Sequence, residues 1–99
     1  MTRTVNVEAH VVVEYPKENE VITAPHYTLR LATSNETHQV EVSIDGGPWQ
    51  QARRADGYFW FDWSNFMSGR HEIKAQSKLF DGRVEMAAPR HVRVELPHA

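Results

Sequence analysis

Apolar and polar residues alternate along most of this chain, and the alternation predicts β-strands. From Val5 to Tyr15 every second residue is apolar, and Asn6, Glu8 and His10 lie between the apolar positions. A period of two places the apolar side chains on one face, as in a strand with one buried side. No window sustains a helical period over three turns. The alternation returns further along the chain, at residues 27–31, 40–44, 58–63, 73–79, 84–86 and 92–96.

Glycine-containing turns separate these segments. Asp45-Gly46-Gly47-Pro48, Asp56-Gly57 and Asp81-Gly82 each supply the residue types that hairpin turns require for their positive φ angles. About seven short strands joined by such turns indicate two antiparallel sheets packed face to face. The prediction is therefore an all-β antiparallel two-sheet sandwich of about seven strands, formed by residues 1–99 as a single domain.

The phase of each alternation predicts which side chains face inward. In the aromatic run 58–63, Phe59, Phe61 and Trp63 share one face, and we expect that face to be buried. The full inward set is predicted to be Leu29, Leu31, Val40, Val42, Ile44, Phe59, Phe61, Trp63, Ile73, Ala75 and Leu79.

Two stretches of the sequence resemble a known family. Residues 40–52 (VEVSIDGGPWQQA) resemble a strand–turn–strand unit of bacterial immunoglobulin-like domains, and residues 68–75 (SGRHEIKA) are similar to the start of their sixth strand. The first unit is also similar to the dimerisation domain of molybdenum-cofactor oxidoreductases such as sulfite oxidases. The resemblance spans about residues 12–96 and implies an immunoglobulin-like sandwich. Such domains serve as spacers, dimerisation surfaces and ligand-binding modules, so the resemblance implies no catalytic residue.

Charge and composition exclude several classes of function. The 99 residues hold 11 Lys and Arg against 13 Asp and Glu, a net charge of −2, which offers no basic excess for nucleic acid. Cysteine is absent, so disulfides and thiolate sites are excluded. No apolar stretch approaches the ~20 residues of a membrane helix. The compartment stays open: cytoplasmic if the chain is complete, exported if it is a module of a longer protein.

The chemistry-bearing residues do not form a catalytic or metal-binding pattern. The six histidines are scattered, without the spacing that brings ligands together on one strand, so we predict no metal and no cofactor. Asp62 is the one carboxylate whose pKa we expect burial to raise, because it lies between aromatic residues. No nucleophile motif accompanies it, and the chain is predicted not to be an enzyme. The histidines are His10, His26, His38, His71, His91 and His98.

His71 has the inward phase of Ile73 and Ala75. In immunoglobulin-like sandwiches a tyrosine near this position hydrogen-bonds to the backbone a few residues upstream. We therefore expect a His71 ring nitrogen to contact the loop 65–68, and we expect desolvation to disfavour the charged imidazolium. A pH switch is the functional alternative.

The aromatic run exceeds what a core strand needs, because Tyr58 and Trp60 occupy the outward phase. They would lie beside Trp49 if residues 49–53 paired with 58–63, and exposed aromatic side chains commonly mark an interaction site. The predicted partner-binding residues are therefore Trp49, Tyr58 and Trp60.

The predicted function is a non-catalytic interaction or assembly module that binds a protein partner or a second copy of itself. The aromatic patch and the edge strands would provide the contacts, with the first strand the less protected edge and the last one blunted by its charges. Two alternatives stay open. The patch is covered by loops or by the N-terminal segment, or it is a carbohydrate-binding platform that stacks sugars on Trp49, Tyr58 and Trp60.

Overall fold

The computed structural model describes residues 10–97 and contains ten β-strands in that range. Within residues 10–97 no helix is long and apolar enough to cross a membrane. The strands are β1 (Val11–Tyr15), β2 (Glu20–Ile22), β3 (His26–Thr33), β4 (Thr37–Ile44), β5 (Gln50–Gln51), β6 (Arg53–Ala55), β7 (Tyr58–Ser64), β8 (Gly69–Leu79), β9 (Val84–Met86) and β10 (Arg90–Val94).

Two sheets pack against each other. The four-stranded sheet has the order β1-β3-β7-β6. The six-stranded sheet has the order β2-β10-β8-β4-β5, and β9 also pairs with β8. The long strand β8 uses one edge for β4, and it divides its other edge between β10 and β9. This arrangement confirms the predicted two-sheet all-β sandwich.

Two of the predicted turns have the backbone that their sequences require. Asp45 and Gly46 have φ angles of 55° and 75°, and Asp56 and Gly57 have 54° and 80°. Two consecutive positive φ angles are the signature of a type I′ turn, whose twist matches that of the flanking strands. The first turn joins β4 to β5, and the second joins β6 to β7.

The predicted core is confirmed with two exceptions. Nine of the eleven predicted side chains are buried, whereas Ile44 and Phe61 are partly exposed at the margin of the core. Ile44 is the last residue of β4, and Phe61 lies on the part of β7 that β6 does not pair with. The core also includes residues outside the predicted set: Val11, Val13, Ile22, Ala52, Val92 and Val94.

The strand count and the edges differ from the prediction. Ten strands replace about seven, because residues 49–55 form two short strands and Glu20–Ile22 forms a strand that no long alternation marks. That strand, β2, pairs in parallel with β10, so the last strand is not an edge. The first strand, β1, is an edge of the four-stranded sheet, as predicted. The part of the first alternation at Val5–Ala9 lies outside the described residues.

Candidate functional site

The outer face of the four-stranded sheet carries two of the three predicted partner-binding residues. Phe59 and Trp63 point into the core with exposed fractions of 4% and 6%. Because side chains alternate along a strand, Tyr58 and Trp60 of β7 face outward, as predicted, and both are partly exposed. This strand therefore presents aromatic rings on both sides of the sheet.

Arg30 organises this face. Its guanidinium carbon lies 4.9 Å from the centre of the Tyr15 ring and 4.5 Å from that of the Tyr58 ring. Its Nε lies 2.9 Å from a carboxylate oxygen of Glu14 in an ion pair, although neither of these two buried atoms has a hydrogen-bond partner among residues 10–97. Cation–π contacts to two rings and an ion pair hold the guanidinium in place. We call Tyr15, Arg30, Tyr58 and Trp60 the aromatic face.

Trp60 is anchored rather than loosely exposed. Its indole Nε1–H donates to the carbonyl oxygen of Ala55 at 2.9 Å, and its ring meets that of Tyr58 edge to face, with centroids 5.9 Å apart. Such a pair contributes about 0.5–1.5 kcal/mol beyond its buried area. Trp60 therefore supports the fold as well as the surface, and its replacement by Ser would lower stability too.

Trp49 does not join this group. Residues 50–51 pair with β4 in the other sheet, and only residues 53–55 pair with β7. The prediction that 49–53 would pair with 58–63 is therefore wrong. The chain changes sheets at Ala52, whose small side chain is buried and whose N–H donates to Val40. In the observed register Arg53 lies opposite Trp60. If the pairing continued unbroken toward residue 49, Trp49 would still lie four residues, about 13 Å, further along the strand.

Sequence reasoning missed Tyr15 and Arg30. The alternation placed Tyr15 in the buried phase of Val11 and Val13, but an irregularity in the β1–β3 register between Val13 and Tyr15 reverses the side chain, which is 40% exposed. One inserted residue is enough to move a side chain to the opposite face. Arg30 was detectable in principle, since it lies in the outward phase between Leu29 and Leu31.

Asp62 is an ion-pair member and not a buried acid. It accepts hydrogen bonds from the Thr28 hydroxyl at 2.9 Å and from the Arg53 guanidinium at 2.7 Å. These two contacts lower the pKa of Asp62, so the expectation of a raised value is wrong. The cause is its outward phase, which places the carboxylate in solvent beside a cation.

His71 joins two loops at one end of the sandwich. Its Nε2 lies 2.7 Å from the Met67 carbonyl oxygen, which confirms the predicted contact with the loop 65–68. Its Nδ1 lies 2.5 Å from a carboxylate oxygen of Asp45, whose other oxygen accepts from the Glu72 N–H. The ring also meets Trp63 edge to face at 5.3 Å. The role of Asp45 was missed because its place before glycine already explained it as a turn residue.

The pKa of His71 is raised, contrary to expectation. Burial is the largest single influence and lowers the pKa, but the hydrogen bonds to Asp45 and Met67 and the charge of Asp45 together outweigh it. Both ring nitrogens face acceptors, and only the imidazolium can donate from both nitrogens at once. The Asp45 carboxylate therefore decides the charge of this histidine.

A raised pKa makes stability depend on pH. The pKa of His71 in the folded protein lies above its ordinary value of 6.5. The charged imidazolium therefore stabilises the fold fully below pH 6.5, and this stabilisation is lost as the pH rises through the pKa of the folded state. We expect the Tm difference between wild type and His71→Gln to shrink as pH is raised from near 6.5 into the alkaline range. Thermal melts across this range measure the difference, and a constant difference would contradict the assignment of the imidazolium.

No metal-binding geometry is found in the described part of the chain. Among residues 10–97 there is no group of three or more His, Asp or Glu side chains arranged to hold a metal ion.

Comparisons with known proteins identify the fold. No family model matches the sequence, and no curated protein is significantly similar to it. Among solved structures, the fibronectin(III)-like modules of CbhA from Clostridium thermocellum match with a TM-score of 0.73 at 17% identity, over 90% of this chain and 99% of that chain. CopC from Methylosinus trichosporium OB3b matches with a TM-score of 0.70 at 14% identity, over 93% of this chain and 98% of that chain.

A third similar structure is much longer than this chain. The endo-β-1,4-mannanase from Thermotoga petrophila matches with a TM-score of 0.74 at 15% identity, over 92% of this chain but only 20% of the enzyme. At these identities the likeness establishes the fold alone. The chain adopts a sandwich of the fibronectin-III and immunoglobulin-like type, similar to modules of bacterial proteins, and the predicted fold class is confirmed.

Proposed function

We propose that this domain is a non-catalytic interaction module that associates with proteins, first among them a second copy of itself, through the aromatic face. The observation that carries the proposal is the fixed position of Arg30 between Tyr15 and Tyr58, beside the anchored Trp60. Tyrosine, tryptophan and arginine dominate the energetics of protein interfaces. Side chains already held in place lose little conformational entropy on binding.

The charges around the face favour a second copy as the partner. They occur as pairs of opposite sign, Glu14 with Arg30 and Asp62 with Arg53. A two-fold contact brings the same patch of both copies together, so each cation can meet the acid of the other chain. A net charge of −2 adds little long-range repulsion.

The expected affinity is modest. Each large aromatic side chain that becomes buried contributes about 1.5–3 kcal/mol, and two or three from each copy reach about 10 kcal/mol. Association costs about 4–15 kcal/mol in lost freedom of motion. The two amounts nearly balance, which favours weak dimerisation that depends on concentration.

Carbohydrate binding is the alternative function that exposed aromatic side chains suggest. Stacking of a sugar requires an uncovered ring face, and Arg30 covers one face of Tyr58. Trp49 directly precedes β5, a strand of the other sheet, and so does not extend the platform. Both observations favour a protein partner over a sugar.

Sedimentation velocity over a wide range of concentrations tests the proposal. For wild type we expect the average mass to rise above 11.4 kDa with concentration, and for Tyr58→Ser we expect it to stay near that value. The matched control is Phe80→Ser, which removes an aromatic side chain that is 69% exposed and lies in the turn after β8, a strand of the other sheet.

Other outcomes of the same experiment decide against the proposal. A wild type that stays monomeric at every concentration, or a Tyr58→Ser variant that dimerises like wild type, would remove the support for self-association through this face. Retention of wild type on a polysaccharide gel, lost in Tyr58→Ser and Trp49→Ser, would instead support the carbohydrate alternative.

A further inference from the structure

A cleft of about 620 Å³ opens on the outer side of the six-stranded sheet. It lies where β2, β10 and β8 run side by side, close to the turn that follows β4, and so on the opposite side of the sandwich from the aromatic face. Its volume falls within the range of small-molecule sites in proteins, about 300–1,000 Å³. The residues that matter for its chemistry are Asn19, Val21, Arg70, Glu72, His91 and Arg93.

Two arginines lie directly opposite each other in this cleft. Arg70 of β8 and Arg93 of β10 are partners in the antiparallel register. Both point outward, because Val92 and Val94 on β10 and His71 on β8 take the inward phase. Like charges directly opposite on neighbouring strands are destabilising. A bound anion between the two guanidinium groups would relieve this repulsion.

Arg70 differs from the other described arginines in its contacts. The described arginines 30, 53, 83, 90 and 93 each have a carboxylate within ion-pair distance, and Arg54 donates to backbone carbonyl oxygens. Within residues 10–97, Arg70 has neither kind of contact. Arg93 pairs with Glu95 at 3.1 Å, but both side chains are more than half exposed, so a competing carboxylate loses little by replacing Glu95.

The acids of the cleft are already engaged. Glu18 accepts from the backbone N–H of His91 and faces its Nδ1, at 3.0 Å in both contacts. Glu72 lies 3.4 Å from Nε2 of the same histidine, and Asp45 is bound to His71. These carboxylates do not neutralise Arg70, yet their oxygens retain lone pairs that can accept hydrogen bonds from hydroxyl groups.

We propose that this cleft binds an organic carboxylate that also carries hydroxyl groups, such as a sugar acid. Arg70 and Arg93 hold the carboxylate by charge-assisted hydrogen bonds, Glu72 and Asn19 bond to the hydroxyl groups, and the exposed side chain of Val21 contacts the carbon skeleton. A doubly charged phosphate fits less well, because the nearby carboxylates of Glu18, Glu72 and Asp45 repel the second charge. The proposal does not depend on the aromatic face.

Titration of isotope-labelled protein with sodium glucuronate, followed by amide NMR shifts, tests this site. Glucuronate joins one carboxylate to a ring of hydroxyl groups, and glucose is the matched neutral ring. We expect saturable shifts at Asn19, Val21, Arg70 and Arg93 with glucuronate, weaker binding of acetate and no binding of glucose.

Variants assign the binding to the arginine pair. Arg70→Gln should weaken glucuronate about tenfold or more, as loss of a charge-assisted hydrogen bond does. Arg83→Gln removes an exposed arginine from another ion-pair network and should leave the affinity unchanged. The proposal is overturned if glucuronate gives no saturable shifts, if phosphate binds more tightly than glucuronate, or if Arg70→Gln binds like wild type.

Discussion

Phe59→Ala is expected to destabilise the domain more than any other change considered, by about 3–5 kcal/mol. The side chain is 4% exposed and lies on β7 opposite Leu31, which is fully buried. Truncation removes its buried area and leaves a cavity between two rigid sheets that cannot close around it. Since a domain of this size has a stability of about 5–15 kcal/mol, the loss is a large part of the total.

Urea unfolding followed by tryptophan fluorescence measures this change, because Trp63 is buried in the same core. Phe61→Ala is the matched comparison on the same strand. Phe61 is only partly buried at the core margin, so we expect a smaller loss of about 1–2 kcal/mol. Equal losses for the two variants would contradict the deeper burial of Phe59, and a loss below about 1 kcal/mol for Phe59→Ala would contradict its place in the core.

The second large effect is expected at the junction of Asp45 and His71. His71→Ala removes hydrogen bonds to the carboxylate and to Met67 together with the ring that packs against Trp63. Hydrogen bonds to charged groups are worth about 1.5–3 kcal/mol, so we expect a loss of about 2–3 kcal/mol. Asp45→Ala should also cost stability, because the Glu72 N–H loses its acceptor.

A double-mutant cycle isolates the contact between the two side chains. Because Asp45 is 46% exposed, solvent weakens the interaction, and we expect a coupling energy of about 1 kcal/mol near neutral pH. The coupling should fall as the pH rises through the pKa of His71 and the imidazolium loses its charge. Strictly additive losses at every pH would falsify the ion pair. Asp62→Ala is a suitable control, since that carboxylate pairs with Arg53 on the other sheet.

Local patterns predicted the strands and most of the core. Alternation with period two depends only on neighbouring residues, and it placed Leu29, Leu31, Val40 and Val42 inward, where all four are fully buried. Turn residues act equally locally, since the positive φ of Asp45 and Gly46 follows from what these residues tolerate. For this reason the all-β sandwich and the outward direction of Tyr58 and Trp60 were visible in the sequence.

The sequence did not reveal in the same way which strands pair with each other. Glu20–Ile22 has too few residues for a pattern, and it becomes a strand because it pairs with β10 across some seventy positions of the chain. The change of sheet at Ala52 depends on the space between the two layers, and it moved Trp49 away from Tyr58 and Trp60. Pairing between distant segments is a property of the assembled sheets.

The sequence by itself determined the fold class and most of the inward faces, because these follow from residue type and from spacing along one strand. Only the tertiary structure decided which side chains meet at the candidate sites. It placed Arg30 between the rings of Tyr15 and Tyr58, and it joined Asp45 to His71. Each of these contacts joins residues from different strands, and the charge of a histidine depends on the groups that the fold brings to its ring nitrogens.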